Sequence, residues 1–169
     1  FINKLDRERA DFSRAFQEAA EIFEPKPIIL QLPIGAEADF KGIVDLISGK
    51  AYIYDETGKA QKSDIPADMQ ELVESEKENL IENIAEADDA LVERYLEGEE
   101  LTVDELRAAL RKGTLARTFV PVVCGSATKN IGIDILMDMI VDAMPPPADR
   151  GSRNGTDPAK ESEIERGPD

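Results

Sequence analysis

Four residues near the start of the chain, Asn3-Lys4-Leu5-Asp6, carry the clearest chemistry in the sequence. An aspartate carboxylate can accept two hydrogen bonds at once, and guanine offers a matching donor pair in N1–H and its exocyclic amino group. Adenine lacks that pair and would leave a desolvated carboxylate unpaired, which is the physical basis of base selectivity. By analogy with other bidentate base contacts, the discrimination is worth roughly 1–3 kcal/mol. The Asn3 amide can bond the base edge and tie neighbouring loops together. The Lys4 stem can lie along the base plane while its ammonium reaches a ribose or backbone oxygen. A second run, Gly125-Ser126-Ala127, can offer the Ala127 backbone N–H to guanine O6, with small residues allowing close approach. Three fixed residues in four arise by chance about once in 10⁴ positions. Taken alone, then, the first run reads equally as a polar turn whose Asp6 caps the next helix, and the second as a tight strand-to-helix turn. Together, each at a strand end of an α/β sheet, they read as two halves of a guanine clamp.

The elements that must hold these residues follow from periodicity. Phe1 and Ile2 read as the last residues of a strand, so the chain is expected to be a piece of a longer protein. Phe12, Ala15, Phe16, Ala19 and Phe23 recur at helical spacing over 10–24, with Asp11 as N-cap and Pro25 and Pro27 ending the helix. The apolar run from Pro27 to Ile34 reads as one buried strand. Two runs within 40–54 flank Ser48-Gly49 and predict a hairpin, and Thr57-Gly58 predicts another turn. Residues 66–85 predict a helix with Met69, Leu72, Val73, Leu80, Ile81 and Ile84 inward. A helix near 88–97 should bury Leu91, Tyr95 and Leu96 and end at Gly98. Thr102 and Glu105 have capping-box spacing ahead of a third helix. Residues 118–124 read as a strand, with Pro121 favouring an edge or bulge. Residues 133–144 read as a helix with Leu136, Met137, Ile140 and Met144 inward, stopped by Pro145-Pro146-Pro147. Residues 148–169 read as a flexible linker.

Composition narrows the function classes. The net charge is −16 over 169 residues, which argues against a broad grip on nucleic acid phosphates. Residues 64–105 hold 2 basic against 16 acidic groups, a local net of −14. Glu71, Glu74, Glu78 and Glu82 fall opposite the apolar stripe and are the candidate surface for a basic partner, the plain alternative being a solvated helix face. The chain has no His and a single cysteine. These exclude His-based triads, His-ligated metals and an internal disulfide, and they fit a reducing, cytoplasmic setting. Cys124 is expected to pack as a small hydrophobe. No apolar run is long enough to span a bilayer.

The residues resemble a known family. Asn3-Lys4-Leu5-Asp6, Leu32-Pro33-Ile34-Gly35, Phe40-Lys41-Gly42-Ile43-Val44-Asp45, Lys50-Ala51-Tyr52, Tyr95-Leu96-Glu97-Gly98, Arg111-Lys112-Gly113-Thr114 and Gly125-Ser126-Ala127 stand in the order found in translation elongation factor G. The resemblance runs from that family's guanine-specificity motif to about residue 147, with Thr128 standing where many members carry Leu, as in a second-type paralogue. It implies an α/β fold, the C-terminal part of a P-loop-type GTPase sheet with an inserted α+β subdomain. On that basis residues 1–35 and 118–147 belong to the G domain, 36–117 to the acidic insert, and 148–169 to a linker towards a second domain. The implied parent is a ribosome-dependent GTPase that uses GTP or GDP with Mg²⁺ and drives movement of tRNA and mRNA, or helps recycle ribosomes. The insert is implied to meet the ribosomal stalk protein. Release-factor and ribosomal-protection GTPases share the base motif and stay open as alternatives, as does a non-enzymatic acidic interaction module. The sequence contains no Gly-x₄-Gly-Lys-Ser/Thr run and no Asp-x-x-Gly element with a preceding strand that is read as serving the Mg²⁺ and γ-phosphate side, and phosphoryl transfer needs both a phosphate cradle and Mg²⁺. This stretch alone is therefore expected neither to hydrolyse GTP nor to hold it more tightly than about millimolar, roughly 4 kcal/mol.

Overall fold

A computed structural model describes residues 1–157 and 162–167. Helix α1 (Phe12–Ile22) begins where expected: the Asp11 side chain accepts from the Arg14 N–H at 3.0 Å. Strand β1 (Lys26–Ile29) then pairs in parallel with β6 (Phe119–Val122). Ile2 bridges Cys124 in parallel as well, donating to the Val123 carbonyl at 2.9 Å. Carbonyls of successive strand residues point to opposite sides. The Leu30 N–H donates to Val122 O at 2.9 Å, so Ile2 and β1 flank opposite sides of the β6 segment. By the same alternation the Pro121 nitrogen faces away from β1, and its missing N–H takes nothing from that ladder.

The single strand expected over Pro27 to Ile34 is two strands. Leu30 separates β1 from β2 (Gln31–Ile34), and β2 opens an antiparallel sheet with β3 (Gly42–Asp45), β4 (Lys50–Tyr54) and β5 (Ala60–Ser63) in that order. A continuous apolar run cannot reveal such a change of partner, because both strands are buried. The expected hairpin at Ser48-Gly49 closes there: Asp45 Oδ2 accepts from Ser48 Oγ at 2.5 Å, and Asp45 pairs with Lys50. Ile43, Val44, Leu46 and Ala51 are fully buried and form the centre of this layer.

Helices α2 (Gln70–Ala85), α3 (Asp89–Leu96) and α4 (Val103–Ala116) follow. Thr102 and Glu105 form the complete capping box, and Arg94 pairs with Glu105 as well as with Glu99. Val73, Leu80, Ile84, Leu91, Leu106, Ala109 and Leu110 are buried. Leu72 and Leu96 were expected inside but are 51% and 78% exposed; each sits at the margin of its apolar stripe. Gly113 lets α4 approach β6, since a Cβ there would stand 2.3 Å from the Phe119 ring. Helix α5 (Ile133–Ala143) follows β6 and packs against α4. Its Met137 and Ile140, and Met144 just beyond it, are exposed rather than inward. A helix apolar on most of its faces cannot announce which face is covered.

Residues 148–169, expected as a flexible linker, instead carry a 3-10 turn over Pro147–Arg150 and an antiparallel pair, β7 (Arg153–Asp157) with β8 (Ser162–Arg166). Ile164 is the one apolar residue in those two strands, so no alternation marked them. The remaining linker positions, 158–161 and 168–169, lie outside the described residues. No helix among the described residues is long and apolar enough to cross a membrane.

Candidate guanine-base site

The two sequence runs meet although more than a hundred residues separate them. Leu5 is the anchor: it is buried, its N–H donates to the Gly125 carbonyl at 3.3 Å, and its carbonyl accepts from the Glu37 N–H at 3.0 Å. Lys4 takes a left-handed backbone, φ 66, which turns the chain between Asn3 and Leu5. Asn3 Oδ1 accepts from the Lys4 N–H at 2.8 Å and from the Ala127 N–H at 3.0 Å. The tie between loops expected of Asn3 is therefore present. The Ala127 donor expected for O6 is engaged by Asn3, so a base oxygen there would share it in a three-centre bond.

Ser126 is fully buried, and its loop is held shut. The Ser126 and Ile131 backbones exchange two hydrogen bonds of 3.0 Å. Ser126 Oγ lies 3.2 Å from Thr128 Oγ1 and accepts from the Lys129 N–H at 3.3 Å. The departure at Thr128 thus places a hydroxyl against Ser126 and leaves the Ala127 backbone unchanged.

Asp6 is the focus of the arrangement. Its side chain is only 8% exposed, and Oδ1 has no hydrogen-bond partner. Its nearest ion pair is long, Arg7 Nε to Oδ2 at 3.9 Å. The Ser126 hydroxyl holds the carboxyl below the usual carboxylate range against the opposing effect of burial, helped by its own backbone and by Arg7 and Lys129. A buried, ionised acceptor without a donor is costly. The two adjacent N–H donors of a guanine edge match such a carboxylate in chemistry, and because Oδ1 is closed to solvent a base reaches it only with a shift of the side chain or loop. Thr128 stands out in the sequence only as a departure from the resembled family, and Lys129 carries no signal beyond its place close to Ser-Ala.

The expected partner surface lies elsewhere. Glu71, Glu74, Glu78 and Glu82 are all exposed on α2. Glu82 and Glu78 sit near Tyr95 of α3 and, behind burial, help raise its phenol above the usual value. No group of three or more carboxylate or cysteine side chains suited to a metal ion occurs among the described residues.

Comparison with known proteins decides the class. The sequence model of the elongation factor Tu GTP-binding domain matches residues 1–146. The chain belongs to that family. The family binds GTP or GDP with Mg²⁺, and the unpartnered Asp6 Oδ1 fits its base. A crystal structure of a protein from Thermus thermophilus is similar, with a TM-score of 0.78 and 29% sequence identity over 89% of this chain. This chain spans only 23% of that protein. The mixed α/β layers described above are thus part of a GTPase-domain fold.

Proposed function

We propose that this chain supplies the guanine-recognition part of a ribosome-dependent GTPase of the elongation factor G type, whose parent moves tRNA and mRNA in the cytoplasm. Asp6 takes the base N–H pair, Asn3 and Lys4 flank it, and Ser126 and Ala127 close the O6 side. The observation that carries this reading is the buried, ionised and unpartnered Asp6 Oδ1 beside Ser126. Residues 36–117 form the inserted subdomain, and the stretch alone does not hydrolyse GTP. The test is an NMR titration of the ¹⁵N-labelled chain with guanosine 5′-monophosphate and adenosine 5′-monophosphate. Millimolar guanine binding that moves the Asp6 and Ala127 amides, with no response to adenine, supports the reading. An equal response to both bases overturns it, and micromolar affinity for GTP overturns the expectation of a base-only grip.

A second function rests on the exposed acidic row of α2. Glu71, Glu74, Glu78 and Glu82 offer a salt-sensitive surface to a basic domain, with the ribosomal stalk protein as the proposed partner. Pulldown at low and high salt tests it. Retention that survives exchange of all four for lysine counts against it.

A further inference from the structure

The turn after β4 leans on the loop that carries Ser126 and Ala127. The last residue of β4 and the turn itself together touch that segment at two points, one inside the loop and one just beyond it. Inside the loop, Asn130 Nδ2 donates to the Gly58 carbonyl at 3.3 Å. The approach is so close that a Cβ on Gly58 would stand 2.6 Å from Asn130 Cβ, and Gly58 also has a left-handed φ of 78. Asn130 is itself left-handed, φ 54, a conformation that Asn tolerates better than most residues. Beyond the loop, the buried Tyr54 hydroxyl donates to Asp134 Oδ1 at 2.5 Å, in the first turn of α5. Burial, then Asp134, pushes the Tyr54 phenol above its usual value, so it stays a donor. The turn has its own internal order: Asp55 Oδ1 accepts from Thr57 N–H, Thr57 Oγ1 and Lys59 N–H.

Each contact joins residues more than 70 apart in sequence, and together they hold the C-terminal side of the segment that positions Ser126 against Asp6 and Ala127 against Asn3. We infer that Tyr54, Gly58 and Asn130 are positioning residues for guanine: the β4–β5 turn of the second sheet braces the base loop and sets its affinity. The inference rests on the guanine reading of Asp6 and Ser126, and it assigns the inserted layer a part in nucleotide binding. Displacement of that turn by anything seated on the β2–β5 sheet would loosen the grip on the base.

Two conservative variants isolate the brace. Tyr54→Phe removes one hydroxyl, and Asn130→Asp keeps a residue that accepts a left-handed backbone while removing the donor to Gly58. Thr102→Ala, which weakens the distant α4 cap, controls for general destabilisation, and Lys62→Ala on β5 controls for a change on the same sheet. Each chain is measured by amide exchange without ligand and by NMR titration with guanosine 5′-monophosphate. The expected result is a three- to tenfold faster exchange of the Ala127 and Ile131 amides and a three- to tenfold weaker guanine affinity in Tyr54→Phe and Asn130→Asp, with both controls at the unaltered affinity. Unchanged exchange and affinity in the two variants overturn the brace, as does an equal loss in Thr102→Ala. Should the unaltered chain fail to bind the nucleotide, the guanine reading falls. The exchange data then decide the brace separately: faster exchange at Ala127 and Ile131 upholds it, and unchanged exchange overturns it.

Discussion

The proposed base site and the antiparallel layer of β2–β5 with its helices are built by opposite strategies. The base site depends on a few polar contacts between residues 3–6 and 125–131, bridged by single hydrogen bonds such as Ala127 N–H to Asn3 Oδ1. The antiparallel layer depends on local devices: adjacent antiparallel strands, a capping box, and a core of Ile43, Val44, Leu46 and Ile84. Its stability is spread over many groups, whereas the recognition geometry is concentrated in very few. Stability and function should therefore respond to different substitutions in this chain.

The largest effect should come from the core of the antiparallel layer. Ile43→Ala removes a fully buried side chain and is expected to cost about 2–5 kcal/mol in urea unfolding. A cost below about 1 kcal/mol would mean that the layer is less tightly packed than the contrast requires. Next comes Asp6→Ala. Its Oδ1 has no bond within the chain and the carboxylate gains chiefly the Ser126 hydroxyl, so unfolding should shift by no more than about 1 kcal/mol. Guanine discrimination should fall by roughly 1–3 kcal/mol in a nucleotide titration. A large loss of stability with unchanged discrimination would reverse the proposed division of labour.

A smaller effect is expected at the α4 cap, where Thr102→Ala should cost about 1 kcal/mol. The partner Glu105 adds a pH signature. Hydrogen bonding to Arg94, then to the Thr102 backbone and hydroxyl, lowers its carboxyl from 4.5 to about 2. A depressed folded-state value gives stability that is present above the unfolded value and is lost as pH falls through the folded one. The melting-temperature gap between the unaltered chain and Glu105→Gln should therefore be full above pH 4.5 and close as pH approaches 2. A gap that stays constant over that window would remove Glu105 from the account. The smallest effect belongs to α2: exposed Glu71, Glu74, Glu78 and Glu82 exchanged singly for Lys should each shift unfolding by no more than about 0.5 kcal/mol.

What could be read from sequence follows the same division. Asp11, Thr102 and Glu105 act within three residues of their targets, and such short-range rules are visible in a string of letters. The pairing of Asn-Lys-x-Asp with Gly-Ser-Ala was legible only through chemistry, because nothing local links residue 3 to residue 127. Three kinds of feature were hidden. The change of sheet at Leu30 falls inside an apolar run broken only by Gln31, which is itself buried. The exposed Met137 and Ile140 belong to a helix apolar on nearly every side. The Gly58–Asn130 contact leaves no signature, since each residue alone reads as an ordinary turn.

Leu30 has one further consequence. Its N–H serves β6 and its carbonyl accepts from Leu46 of the next sheet, so the same residue closes one ladder and opens the other with no slack between them. Chain length at this joint is therefore a matter of parity. One inserted residue would turn Leu32 and Ile34, both buried, towards the opposite face. Two would restore the alternation but slide the whole second sheet against the first. An exposed loop can absorb an extra residue at small entropic cost, but at residue 30 the chain can only keep count.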